Sequence, residues 1–155
     1  MFMDQATKDQ ALVILNKILE HELAGVVRYT HYSFLVFGFG RIPIVSWMRD
    51  QANDALMHSQ QAGEMITMLG AYPSLEIGAL LDSHELDLRT ILQESLATEA
   101  QALDLYRQLL KCVEGQSVTL EEYARTMIHA EEVHASEVDK MLRRPGELTQ
   151  AAITA

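Results

Sequence analysis

Cysteine is almost missing from this chain. Cys112 stands alone, which excludes an intrachain disulfide framework and any thiolate-rich zinc site. A solitary thiol fits a reducing compartment, so the cytoplasm is the expected location. Positive charge is scarce as well: Lys and Arg number 12 against 22 Asp and Glu, leaving a formal net charge of −10. That balance argues against a nucleic-acid backbone or an anionic membrane as partner and favours cations. The most apolar stretch, SFLVFGFGRIPIVSWM, is interrupted by Gly38, Gly40, Arg41 and Pro43, short of the ~20 apolar residues a membrane-spanning helix needs. The start, MFMDQATKDQ, carries acid, amide and lysine where a secretory signal has a basic patch and an apolar core, so no leader is expected.

What remains is periodic and apolar enough for one domain with a sizeable core. From Thr7 to about Val36, Leu12, Leu15, Leu19, Leu23, Val26 and Val27 recur at helical spacing on one face. FGFG ends that helix. A second runs from about Ile44 to Leu69, with Pro43 at its entrance and Gly70 just past its end. After a longer connection, AYPSLEIGALLDSHE, a third spans about Leu86 to Val113 and a fourth about Leu120 to Leu142. These two are joined by EGQSVT, where Thr119 with Glu122 reads as a capping box. Short outer links around a long middle one predict an all-α, up-down four-helix bundle with one long crossover. The bundle is expected over residues 1–144, with a short tail over 145–155.

The two hairpins read as copies of each other. An offset of 77 residues lays Leu19 on Leu96, Glu22 on Glu99 and Tyr29 on Tyr106. An offset of 76 lays Trp47 on Tyr123, Arg49 on Arg125 and His58 on His134. Apolar matches arise whenever two amphipathic helices are compared, but the Glu, Tyr, Arg and His matches do not. One position breaks the symmetry: Glu131 forms Glu-x-x-His with His134, and its counterpart is Ala55.

The chemistry that uses this pattern is a carboxylate-bridged pair of metal ions inside a four-helix bundle. One glutamate comes from each of two helices, and Glu-x-x-His from each of the other two. Residues three apart share a helical face, so Glu131 and His134 can both point at the bundle axis. Glu22, His58, Glu99, Glu131 and His134 fill five of the six positions. Glu22 lies on the apolar stripe between Leu19 and Val26, and Glu99 between Leu96 and Leu103, where an unpaired carboxylate costs several kcal/mol. Oxygen donors supplemented by imidazole suit iron, with manganese as the alternative. Asp54, four residues before His58, is the nearest substitute for the absent glutamate. With three ordinary donors, the half built on Glu99, Glu131 and His134 is expected to bind metal more tightly than the half built on Glu22 and His58. Tyr29 and Tyr106 follow the ligand glutamates by two turns and are candidates to hydrogen-bond a ligand or donate an electron to an oxidised metal.

Four separated segments carry a family resemblance. Leu15-Asn16-Lys17, Glu22-Leu23 and Tyr29 match the opening pattern of bacterioferritins; Asp54, Ala55, Leu56, Met57 and His58 fall on the second-helix pattern, and Glu99 and the EEVH segment on the later ligands. Over nearly its whole length the chain resembles a bacterioferritin of the ferritin-like superfamily. The resemblance implies a ferroxidase centre holding two irons per chain, or one plus a weak site, with ferrous iron and dioxygen or peroxide as reactants. It implies a homo-oligomer, a dimer at least and a cage at most, in iron storage or detoxification. Two residues depart from the pattern. Ala55 stands where the family has a bridging carboxylate, and Leu56 stands where it has the haem-ligating methionine, so no haem is expected there. Two other functions fit the same fold: a small di-iron or di-manganese oxidase or peroxidase without a storage role, and a non-catalytic bundle with an incomplete metal site.

Overall fold

A computed structural model describes residues 3–82, 84 and 87–151. Four helices account for the order of elements: α1 (Gln5–Leu35), α2 (Arg41–Met68), α3 (Leu88–Val113) and α4 (Val118–Leu142). α1 packs along α2, α3 along α4, and the two hairpins meet chiefly through α1 and α3. This is the four-helix bundle of paired hairpins that the linker lengths predict.

The ends are set by local chemistry. Asp4 and Asp87 each accept from the backbone N–H three residues on, at Thr7 (2.9 Å) and Thr90 (3.0 Å), so α1 and α3 begin with satisfied donors. Leu86, the expected start of α3, lies outside the described residues, and Asp87 is the cap. α2 begins at Arg41, three residues earlier than expected, which places Pro43 inside the first turn, where its missing N–H has no helical acceptor to lose. The cap of α4 is a correction: Ser117, not Thr119, accepts from the Leu120 N–H at 3.3 Å. Glu121, not Glu122, reaches back to the Gly115 N–H. A hydroxyl two residues earlier starts the helix first, and Thr119 is then already inside it.

The buried face of α1 also differs from expectation. Leu15, Ile18, Glu22, Gly25 and Tyr29 are buried, while Val27 is 42% exposed, so the stripe does not run on through the Val26-Val27 pair. One apolar cluster, including Leu15, Ile66, Leu109 and Leu120, fills one end of the bundle. A second, with Tyr32, Val45, Met48 and Ile91, fills the other. Between them lies a polar layer holding Glu22, His58, Glu99 and Glu131.

The crossover from α2 to α3 lies along α1. The Ser74 N–H donates to the Asn16 side-chain oxygen at 2.8 Å, and the Gly78 N–H donates to the Glu20 carbonyl at 2.8 Å. Gly78 is what allows this approach: a Cβ there would lie 3.0 Å from the Glu20 carbonyl oxygen and 3.2 Å from His21 Cα, closer than backbone atoms yield to. No helix is long and apolar enough to cross a membrane among the described residues.

Candidate metal centre

Each helix contributes to the polar layer, and helical spacing decides which residues reach it. Glu22 lies one turn past Leu19 on α1, Glu131 one turn past Met127 on α4, and both are buried. His58 on α2 faces both. Its Nδ1 is 3.5 Å from Glu22 Oε1 and 3.4 Å from Glu131 Oε1. The donor atoms of Glu22, His58 and Glu131 all lie within 4.8 Å of one another. Donors bound at about 2.0–2.2 Å to one ion stand roughly 3.0–3.5 Å apart, so the two sides of this triangle that meet at His58 already match a divalent metal.

The second half is arranged differently. His134 Nε2 is 3.5 Å from Glu99 Oε1, but a hydroxyl stands against both: Tyr29 donates to Glu99 Oε1 at 2.6 Å and lies 3.1 Å from His134 Nε2. The imidazole of His134 is further fixed by Trp47, whose ring stacks on it at 5.8 Å and 5°. Tyr106 donates to Glu22 Oε1 at 2.8 Å. Thus each tyrosine bonds the glutamate of the other hairpin, Tyr29 from α1 to α3 and Tyr106 from α3 to α1. The convergent donors join Glu22 and His58, the half that sequence reasoning ranked second, with Glu131 of the other half. Glu131 leans toward His58, and Tyr29 takes up the hydrogen-bonding capacity of the other side.

Protonation follows from this crowding. Burial opposes charge on His58, but hydrogen bonds to Glu131 and Glu22 and their negative charge outweigh it and lift its pKa to about 10. Burial, then hydrogen bonding to Glu131 and its like charge, raise Glu99 to about 8, against the opposing pull of His134 and Tyr29. Both tyrosines are pushed well above their usual range by burial and by the neighbouring carboxylates, with Glu99 foremost for Tyr29 and Glu22 for Tyr106, so they are hydrogen-bond donors at neutral pH. Without metal, protons balance the layer's charge.

A cavity of about 240 Å³ reaches the layer, lined by Glu22, His58, Glu99, Glu131 and His134. Asp54 and Ala55 line it too, Ala55 buried and Asp54 exposed at its rim. Gly25 and Arg28 are among the lining residues that escaped sequence reasoning. Gly25 lies opposite Ala55, such that a Cβ built on it would stand 3.4 Å from Ala55 Cβ and 3.7 Å from Arg28 Nη2. Arg28 is 8% exposed and lines the same cavity. The available signal was an arginine one place before a core tyrosine, in VVRY. His21, without a repeat counterpart, spans α1 and α3 through the Thr98 carbonyl at 3.1 Å. Met57 and Leu56 are 47% and 42% exposed.

A family model described as ferritin, ferritin-like domain, matches residues 12–145. No curated protein matches the sequence. Among solved structures, a ferritin-like diiron-carboxylate protein from Bacillus anthracis superposes with a TM-score of 0.83 at 22% identity, covering 90% of this chain and 100% of that one. Desulfovibrio desulfuricans bacterioferritin, described as having a diiron site, gives 0.76 at 22% identity over 88% and 80%. A dodecameric thioferritin from Bacteroides fragilis gives 0.80 at 20% identity over 87% and 85%. At these identities the likeness establishes the fold.

Proposed function

Since the chain belongs to the ferritin family, whose domain it carries over residues 12–145, we propose that it binds ferrous iron in the polar layer and oxidises it with dioxygen or peroxide. One observation carries the reading: Glu22, His58 and Glu131, from three helices, converge within 4.8 Å inside a cavity that reaches them. Two carboxylates and an imidazole suit ferrous iron and also accept manganese.

The residues divide the work. Glu22 and Glu131 supply negative charge, and His58 supplies Nδ1 after giving up its proton. Tyr106 orients Glu22 by donating to the same oxygen that faces His58. Glu99 and His134 stand beside this set, engaged by the Tyr29 hydroxyl, and Asp54 at the rim is placed to meet an arriving cation. In the overall reaction two ferrous ions give up one electron each, and these, with two protons, reduce hydrogen peroxide to two waters or dioxygen to hydrogen peroxide.

The proposed setting is a cytoplasmic homo-oligomer serving iron detoxification or storage, a dimer at least; storage would need a closed cage. Aromatic and apolar side chains at the turn between α1 and α2, Phe37, Phe39 and Ile42, are 69% or more exposed and offer surface for such an assembly.

The test is stopped-flow oxidation. Ferrous protein mixed with peroxide should turn ferric at least tenfold faster than ferrous iron in buffer, and Glu131→Ala or His58→Ala should remove that advantage. Equal rates for wild type and free iron would overturn the proposal.

A further inference from the structure

Arg28 poses a problem that the iron-binding reading leaves unsolved. A guanidinium carries five N–H donors and a permanent charge, and burying it without a partner is costly. Arg28 is 8% exposed and stands in no hydrogen bond or ion pair among the described residues; its charge acts on His21 and Tyr32, and its nitrogens are not among the atoms sealed from water without a partner. It lies on α1 between Gly25 and Tyr29 and borders the cavity that holds the candidate ligands. Two small residues face each other beside it: a Cβ on Gly25 would stand in ordinary contact with Ala55 Cβ, at 3.4 Å, and Arg28 Nη2, at 3.7 Å. Where the repeat calls for a carboxylate between two metal positions, the chain has a methyl group with a cation beside it.

The geometry points to a single-ion centre: one divalent metal at Glu22, His58 and Glu131, with Arg28 as the resident cation that replaces a second. This deepens the iron-binding reading and rests on it. Charge supports the assignment. Arg28 already places one permanent positive charge in the wall of the cavity, so a second divalent ion there meets a like charge that the first does not. Asp54 does not offset it, because it is exposed and screened by water. Sterics agree independently. The Tyr29 hydroxyl, 2.6 Å from Glu99 and 3.1 Å from His134, stands against the donors that a second ion would require.

Manganous ion is the probe, because it stays divalent in anaerobic buffer and can be counted without any turnover. Calorimetric titration, with free manganese read by electron paramagnetic resonance, should give one ion per chain for the wild type. Arg28→Lys, which keeps the charge, should also give one. Arg28→Gln combined with Ala55→Glu removes the cation and restores the bridge, and should give two, the second at least tenfold tighter than any second binding in the wild type. Two tight ions in the wild type would overturn the inference, as would a folded double variant that still binds one. Should the double variant not fold, the wild-type count decides alone. No binding at all in the wild type would overturn the iron-binding reading itself.

Discussion

His58 holds the proton that an incoming ion must displace, and this makes the centre pH-dependent in two opposed ways. In the folded, metal-free chain its pKa is about 10 against an ordinary value of 6.5, and that of Glu99 is about 8 against 4.5. Both are raised. Folding therefore binds protons more tightly than the unfolded chain does, and the stabilisation is complete below the ordinary values and lost as pH rises through 8 and then 10. The melting temperature in chelator should fall between about pH 6 and 10, while stabilisation by added manganous ion should grow over the same range, since metal and proton compete for His58. A metal-dependent shift that shrinks with rising pH would contradict this. Most of these residues were legible in the sequence: the offset that lays His58 on His134 and Glu22 on Glu99 isolates them without any coordinates. Arg28 was not. An arginine in VVRY ordinarily reads as a side chain that stretches to solvent, and only the register that sets Gly25 opposite Ala55 across two helices shows it bordering the cavity. That register is a property of packing between elements.

Within the elements, caps and close approaches give sharper tests than periodicity. Ser117→Ala should cost about 1 kcal/mol by removing the acceptor for the Leu120 N–H, and Thr119→Ala should change stability by less than half of that. Urea unfolding distinguishes the two, and the reverse order would restore Thr119 as the cap. Gly78→Ala should cost about 1–3 kcal/mol, because its Cβ would press on the backbone of α1 at Glu20 and His21 and loosen the crossover. An unchanged unfolding midpoint would show that the crossover is not held there. Helix number, order and pairing were legible because amphipathic stripes and linker lengths determine them. The path of the crossover was not, since AYPSLEIGALLDSHE has no period, and its position depends on single hydrogen bonds from Ser74 and Gly78 to residues of α1.

Across the whole molecule, two apolar halves flank one polar layer, and the layer is costly without a cation or protons to balance it. The apolar ends stabilise the bundle, and the layer gives it a use. The exposed Phe37, Phe39 and Ile42 at one end suit burial in an assembly. Light scattering should report a particle of at least two chains of 17.4 kDa, and replacing Phe39 with Ser should lower that mass; a monomer for both would contradict the assembly. The claim on which everything else depends is that iron binds in the layer. Crystals grown anaerobically with ferrous iron and measured on both sides of the iron absorption edge test it most directly. The account predicts one strong anomalous peak enclosed by Glu22, His58 and Glu131, with none of comparable height beside Glu99 and His134. Iron found only on surface carboxylates, with the cavity free of anomalous signal, would contradict it.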